Sequence, residues 1–198
     1  VTLAPAALLS GFFYQYPDAN GCNLILEIGT RATNILLVEG QKIFVRVVPV
    51  GGGAITQAVA TDLQESFAGA EVLKKAKGFV HPGGAYEDPG DAATARISKL
   101  ARGVVTRLHT EVERSVTFFR SQQGGGKPTQ VWLTGGGAML GYTELFFREK
   151  LRIPVEFFQP FRRLSVPATL EAQTATKNFS AWSVAVGAAL QVSPDAPV

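Results

Sequence analysis

The sequence has few of the residues that build disulfides and metal sites. It contains one cysteine, Cys22, and two histidines, His81 and His109, that lie far apart along the chain. One cysteine excludes a disulfide framework and a zinc site built on cysteines, and two distant histidines argue against a histidine-rich metal site. We expect Cys22 to be an inert core residue, His81 to be exposed in a loop, and His109 to be partly buried on a helix.

The sequence also has little charge and no long apolar run. Charged residues make up 18% of the 198 residues and hydrophobic residues 46%. The charged fraction is below the usual ~25% of globular domains, so the composition excludes global disorder. No apolar run approaches the ~20 residues of a membrane-spanning helix. The net charge of +3 is too small to indicate nucleic-acid binding by itself.

Three strand patterns follow one another in the first quarter of the chain. Residues 22–28 are almost continuously apolar, which is typical of a strand buried on both faces. Residues 33–38 form a second run, and residues 42–48 alternate between two sets of side chains. Gly40 lies between the last two runs, as in a hairpin connection. The pattern predicts an antiparallel meander of three strands.

A helical period replaces the strand pattern after residue 53. The spacing of apolar residues predicts a first helix opening at Pro5 and later helices near residues 55–67, 68–77, 92–122, 141–151 and 181–190. Short strands are predicted at residues 131–134 and 155–158. This order predicts an α/β domain, a mixed sheet with helices, in which residues 54–105 form a mostly helical insertion.

The first candidate binding turn joins the first two predicted strands. The first strand ends near an acid, Glu27, and the turn contains Gly29, Thr30 and Thr33. Backbone N–H groups and threonine hydroxyls at such a turn can hold a phosphate. An ordinary hairpin with a glycine at positive φ explains the same residues, so both interpretations stay open.

Two glycine runs each lie between a strand and a helix. Gly51 and Gly52 precede a helix whose N-terminus offers unpaired N–H groups and a positive dipole end to an anion. Gly135, Gly136 and Gly137 follow a short buried strand and permit close approach of an aromatic or sugar group. A flexible link is the alternative at both places. Neither run has the spacing of a P-loop or of a dinucleotide-binding turn.

One helix carries an acid and two cations on a single face. Glu71, Lys74 and Lys75 stand at positions i, i+3 and i+4. They could form a solvated ion pair, which is the common case, or hold ribose hydroxyls and the edge of an adenine.

Taken in order, these four turns resemble the nucleotide site of the actin/Hsp70/FtsA superfamily. Within it, the chain is similar to the PilM family, the actin-like proteins of type IV pilus assembly. Residues 26–46, 48–57, 111–122 and 133–140 carry the similarity. The resemblance covers the second half of a PilM-like protein. We therefore expect this chain to be a piece of a longer protein, whose other lobe holds the first phosphate loop and grips the tail of PilN.

The resemblance implies a fold, a ligand and partners. The fold would be the second lobe of an actin-like ATPase, of ribonuclease-H-like type, with residues 1–53 and 106–198 as subdomain IIA and residues 54–105 as a small helical subdomain IIB. The function would be a cytoplasmic scaffold, peripheral to the inner membrane, that binds ATP or ADP with Mg²⁺ between two lobes. The implied partners are a PilN-like inner-membrane protein held mainly by the absent lobe, other pilus assembly proteins, and further copies of itself.

The resemblance also implies a role for each candidate residue. Phosphate would be bound by Gly29, Thr30, Thr33, Gly51 and Gly52, and adenosine by Glu71, Lys74, Lys75, Gly135, Gly136 and Gly137. The family has aspartate where this chain has Glu27 as the phosphate-loop acid. The extra methylene is expected to disturb a metal–water contact. We expect at most a weak ATPase, no activity in the isolated chain and no catalytic residue within it.

Other functions stay open on the sequence. An FtsA-like division protein is less favoured, because residues 191–198 contain two prolines and no basic amphipathic helix. An ATPase or kinase of the same superfamily would need groups from the other lobe. A basic cluster of Arg148, Lys150, Arg152, Arg162 and Arg163 lacks interleaved stacking aromatics, so we interpret it as a solvated surface and expect no nucleic-acid partner.

Overall fold

The chain folds into a five-stranded mixed sheet with helices on both faces. The computed structural model describes residues 3–83, 86–166 and 179–191. The strands are β1 (Cys22–Ile28), β2 (Thr33–Glu39), β3 (Lys42–Val48), β4 (Pro128–Thr134) and β5 (Val155–Phe157). The helices are α1 (Ala4–Gln15), α2 (Gly52–Leu63), α3 (Phe67–Lys77), α4 (Ala92–Gln123), α5 (Thr143–Leu151) and α6 (Ser183–Leu190).

The sheet has the strand order β3-β2-β1-β4-β5. Strands β1, β2 and β3 form the predicted antiparallel meander, whereas β4 runs parallel to both β1 and β5. Because β1 and β4 are parallel neighbours, their carboxyl ends lie at the same edge of the sheet, where Glu27 is paired with Thr134. The turns that follow these two strands are therefore brought together.

Two hydrophobic layers hold the helices on the sheet. On one face, α2, α4 and α5 bury a large core that includes Leu26, Val59 and Phe119. On the other face, α1 packs Phe12 against Trp132 of β4, and α6 packs against α1. Strand β1 is covered on both faces, which explains why most of its residues are apolar.

Local chemistry explains where several helices begin and end. Pro5 lies in the first turn of α1, where its missing N–H is not needed. The side chain of Ser66 accepts a hydrogen bond from the N–H of Gly69 at the start of α3, and Asp91 caps two N–H groups of α4 in the same way. Gly124, with a φ of 61°, ends α4 in the left-handed conformation.

The predicted elements are found, with small differences at their ends. A 3-10 turn, Gly136–Met139, begins within the glycine run, and α5 begins only at Thr143. A second 3-10 turn, Phe179–Trp182, takes up the predicted start of the last helix. Helix α4 continues through residue 105 without a break. The predicted insertion of residues 54–105 thus contains α2, α3 and only the first part of α4, and its boundary stays a prediction.

Candidate functional site

The first two predicted turns are joined by backbone hydrogen bonds. The N–H of Gly52 donates to the carbonyl of Gly29 at 2.9 Å, and the N–H of Gly53 donates to the carbonyl of Thr30 at 2.7 Å. A Cβ on Gly51 would lie 2.5 Å from the Gly29 carbonyl oxygen, so only glycine permits this approach. The expectation that the start of α2 offers free N–H groups is corrected for Gly52 and Gly53, because both donate within the protein.

The threonines of the hairpin differ in their exposure. Thr30 is exposed, beside the start of α2. Thr33 is fully buried, and its hydroxyl donates to the carbonyl of Val50 at 2.6 Å. Thr33 therefore ties β2 to the chain that enters α2. Phosphate binding by the hairpin residues stays a prediction, with Thr30 the threonine that is open to a ligand.

The third glycine run packs against the end of β1. Gly135 has a φ of 85°, and a Cβ there would lie 2.5 Å from the carbonyl oxygen of Ile28. A Cβ on Gly137 would lie 2.6 Å from a methyl carbon of Ile28, and one on Gly52 would lie 3.4 Å from the Cα of Gly137. A Cβ on Gly136 would meet no atom within 4 Å. Gly135 and Gly137 are thus required for packing, whereas Gly136 borders open space.

The charged face of α3 is anchored to the start of α2 by a buried lysine. Lys74 is only 9% exposed. Its ammonium nitrogen lies 2.6 Å from a carboxylate oxygen of Glu71, 2.8 Å from the hydroxyl of Thr56 and 3.2 Å from the Gly52 carbonyl oxygen. Lys75 pairs with the same carboxylate at 3.3 Å but is largely exposed. The sequence left open a solvated ion pair on this face. Lys75 forms such a pair with Glu71, whereas the pair between Lys74 and Glu71 is buried.

The pKa of Glu71 reflects this network. Partial burial acts to raise it, but hydrogen bonds from Lys74 and Thr56 and the charge of Lys74 outweigh the burial, so the pKa lies below its usual value. Glu71 is therefore a stable acceptor for the two lysines and the Thr56 hydroxyl at neutral pH.

These elements enclose a cavity of about 440 Å³, within the usual size range of small-molecule sites. Six of the predicted residues line it: Gly52, Glu71, Lys74, Lys75, Gly136 and Gly137. The lining also includes five residues that no sequence motif indicated: Ile55, Gly78, Met139, Leu140 and Gly141. The other predicted residues, Glu27, Gly29, Thr30, Thr33, Gly51 and Gly135, are not in its lining and form the hairpin and glycine-loop junction beside it.

Glu27 lies at this junction in a partly buried position. Burial raises the pKa of its carboxyl group, and a hydrogen bond from the Asn34 amide at 2.6 Å opposes the rise. Asn34 is the cross-strand partner of Glu27, so the hairpin register could have identified it. Among the described residues, no group of three or more histidine, cysteine, aspartate or glutamate side chains is placed to hold a metal ion.

Some predictions outside the cavity are confirmed and one is wrong. Cys22 is buried at 1% exposure, and His109 is 8% exposed on α4. The prediction that His81 is exposed is wrong, because the residue is only 6% exposed. Its Nε2 lies 3.1 Å from an Asp88 carboxylate oxygen, and its Nδ1 accepts the N–H of Gly83 at 2.9 Å. The rings of Phe79 and Tyr86 pack beside His81, and the two hydrogen bonds satisfy the nitrogens of the buried ring.

The basic cluster of the sequence is divided by the fold. Arg148 pairs with Glu144 on α5 at 3.0 Å. The guanidinium groups of Arg162 and Arg163 lie over the rings of Tyr16 and Tyr14. Both arginines are thus held at α1 and do not join Arg148 in one surface.

Comparison with solved structures defines the class of fold. MreB5 of Spiroplasma citri bound to ADP matches with a TM-score of 0.67 at 13% identity, covering 94% of this chain and 58% of that one. The ethanolamine utilization protein EutJ of Carboxydothermus hydrogenoformans matches with a TM-score of 0.54 at 20% identity, covering 79% and 49%. An archaeal actin homologue, Ta0583, also matches, with a TM-score of 0.60. The fold is therefore actin-like, as predicted.

The family is shown by two further matches. The PilM-PilN type IV pilus biogenesis complex matches with a TM-score of 0.79 at 26% identity, covering 98% of this chain and 53% of that one. The family model of the type IV pilus assembly protein PilM matches residues 14–193. The chain belongs to the PilM family of type IV pilus assembly proteins.

This chain spans about half the length of the structures that it matches. No match is found among curated protein sequences. In the described parts of the chain, no helix is both long and apolar enough to span a membrane.

Proposed function

We propose that this chain is the second lobe of an actin-like scaffold of type IV pilus assembly, and that the 440 Å³ cavity holds the adenosine part of ATP or ADP. The convergence of the glycine run 135–137, the start of α2 and the charged face of α3 on one cavity carries this proposal. MreB5, which shares the fold, has been solved with ADP bound.

The residues around the cavity suit a nucleoside. The backbone of Gly136 borders open space, so a flat ring or a sugar can lie against it. Glu71 is an acceptor for ribose hydroxyls, and Lys75 is an exposed cation at the same wall. Ile55, Met139 and Leu140 supply the apolar contact that an adenine base requires.

The phosphates would extend toward the β1–β2 hairpin. Thr30 offers an exposed hydroxyl there, and Glu27 is the one acid of the junction. Mg²⁺ is commonly held by one or two carboxylates together with phosphate oxygens. The Glu27 carboxylate and the nucleotide phosphates would thus hold one Mg²⁺ ion between them. When bound, it would neutralise phosphate charge. Glu27 is partly buried and accepts a hydrogen bond from Asn34, which would hold its carboxylate in place for such an ion. Hydrolysis would be weak or absent.

The opposite face of the sheet supports a two-lobed protein. Helices α1 and α6 contain no charged residue. Even so, Phe13 on α1 is 43% exposed, and Leu3 and Trp182, just before the two helices, are 75% and 56% exposed. A helix that is apolar all round belongs in an interior. The other half of a PilM-like protein would cover these side chains and close the nucleotide site.

The scaffold would act at the cytoplasmic side of the inner membrane through a PilN-like partner. The matched structure is itself a PilM-PilN complex. The subdomain division at residues 54 and 105, self-association and contact with other pilus assembly proteins belong to the same proposal. An FtsA-like role or a kinase activity has no specific observation in its favour.

Nucleotide binding is tested by calorimetric titration of the full-length gene product with ATP, ADP and GTP, with Mg²⁺ or with EDTA. We expect saturable binding of the adenine nucleotides and weaker binding of GTP. Absence of binding to ATP and ADP would remove the nucleotide from the proposal. The scaffold part is tested separately, by co-purification with the cytoplasmic tail of the PilN-like protein; failure of that interaction would overturn it even if nucleotide binds.

A further inference from the structure

A second concave site lies at the opposite edge of the sheet. A groove of about 270 Å³ runs between the C-terminal part of α4 and the end of α5. Its lining includes Pro128, where β4 begins, whereas the nucleotide cavity lies beyond the carboxyl ends of β1 and β4. Seven residues of strand separate the two edges, which corresponds to about 20 Å. The groove is thus a separate site.

The floor of the groove is apolar. Leu24, Val116, Leu151 and Ile153 contribute to it, and all four belong to or pack against the main core. An apolar side chain of a partner could therefore gain buried contact here without rearrangement of the core.

Three cations surround this floor. Arg120, Lys127 and Lys150 line the groove and are exposed. None of the three has a carboxylate partner within 4 Å among the described residues. Some neighbouring surface cations are paired, such as Arg114 with Glu111 at 2.7 Å and Arg148 with Glu144 at 3.0 Å. The one acid in the lining, Glu113, lies 3.7 Å from the Nδ1 of His109. The groove therefore carries an excess of positive charge.

Helix dipoles do not account for all of this charge. Arg120 and Lys150 occupy the last turns of α4 and α5, where cations are favoured. The terminal Gly124 carbonyl of α4, however, accepts a hydrogen bond from Lys42 of β3. Lys127 lies beyond the end of α4 and also lines the groove. Three lining cations around an apolar floor indicate a ligand with negative charge.

We propose that this groove binds a short acidic segment of a partner protein, with an apolar residue on the floor and carboxylates against Arg120, Lys127 and Lys150. A peptide is favoured over a membrane surface for two reasons. The apolar floor is recessed between two helices, so it accepts single side chains. Glu113 on the same rim would repel a sheet of anionic headgroups, whereas a peptide can place a neutral residue there.

The proposal is tested with a fluorescent peptide of alternating glutamate and leucine, titrated into the full-length protein and followed by anisotropy. Arg120→Glu and Lys150→Glu should each weaken binding roughly tenfold, because each replaces an attraction by a repulsion. Arg107→Glu is the matched control, since Arg107 is also exposed on α4 but lies outside the groove. It should change binding less than about twofold.

Further probes separate the possible outcomes. A peptide with lysine in place of glutamate, and one with serine in place of leucine, should both bind poorly. Equal loss of binding in Arg120→Glu and Arg107→Glu would overturn the proposal, as would no binding of the acidic peptide to the wild-type protein. Phosphatidylglycerol vesicles form the last arm: if Arg120→Glu abolishes vesicle binding while the peptide does not bind, the groove is a membrane contact.

Discussion

The ammonium nitrogen of Lys74 lies 3.2 Å from the backbone carbonyl oxygen of Gly52, so α3 is tied to the first residue of α2. The same nitrogen contacts Glu71 and Thr56. Because Lys74 is buried, these contacts are sheltered from water, and each is worth more than its counterpart on the surface.

Replacing Lys74 by methionine should therefore lower stability and nucleotide affinity together. The Gly52 carbonyl and the Thr56 hydroxyl would lose a donor in a buried place, at a cost of about 1–3 kcal/mol. Lys75→Met is the matched control, because Lys75 lines the same cavity but is exposed, and it should cost less than about 0.5 kcal/mol. Urea unfolding and ATP titration measure the two effects. Equal stability of the two variants would mean that the buried network contributes little.

A side chain at Gly136 should block the cavity without unfolding the protein. Gly136 lines the cavity, and a Cβ there meets no atom within 4 Å. We expect Gly136→Leu to weaken ATP binding at least about tenfold, because the side chain would occupy ligand space. Gly136→Ala should have a smaller effect. The melting temperature of both variants should stay near that of the wild type. Unchanged ATP affinity in Gly136→Leu would place the nucleotide elsewhere.

Glu27 should make stability depend on pH in a defined direction. Since burial raises its pKa, the folded state holds the proton more tightly than the unfolded state, and the charged carboxylate destabilises the fold at neutral and alkaline pH. We expect Glu27→Gln to be more stable than the wild type at pH 8. The difference should shrink as the pH falls through the raised pKa and vanish below the unfolded value of about 4.3.

Thermal unfolding between pH 4 and pH 8 measures this difference. Glu149→Gln, on the exposed part of α5, removes one charge without removing a buried carboxylate and serves as the control. If Glu27→Gln gave the same difference from the wild type at every pH, the effect would come from packing or hydrogen bonding and not from titration.

Two glycines within helices should respond in opposite ways to alanine. A Cβ on Gly187 of α6 would lie 1.9 Å from the carbonyl oxygen of Ala7 in α1, so Gly187→Ala must separate the two helices and should cost about 1–3 kcal/mol or more. A Cβ on Gly103 of α4 would meet no atom within 4 Å, so Gly103→Ala should gain about 0.5–1 kcal/mol. Each kcal/mol corresponds to roughly 2–4 °C in melting temperature. Calorimetry on both variants checks the sign as well as the size.

The sequence predicted the order of elements because their signals are local. The apolar run of β1, the Gly40 connection and the period of α4 all arise from neighbouring residues. Which face of a strand is covered by a distant helix cannot be read from neighbouring residues. In β3, Ile43, Val45 and Val47 alternate with their neighbours as predicted, yet these three are 40–57% exposed. The side bearing Phe44 and Arg46 instead faces α4, where Arg46 pairs with Glu111 at 2.6 Å.

For the candidate site, the sequence motifs indicated which segments meet in space, and the binding role of each residue stays a prediction. The motifs identified the glycine runs and the charged face of α3, which meet in space. The hydrogen-bond partner of each polar group was not predictable, because it lies in a segment far away in the sequence. The hydroxyl of Thr33 and the N–H of Gly52 are committed to Val50 and Gly29, and only the fold brings these pairs together. The burial of His81 similarly depends on how its own loop closes.

Helix α4 joins the end of α3 to the groove as one continuous rod. It starts directly after its cap Asp91, which pairs with Lys77 at the end of α3, and its last turn carries Arg120 at the groove. At 1.5 Å per residue its 32 residues span about 48 Å. A single element thus sets the distance between the end of α3 and the wall of the groove.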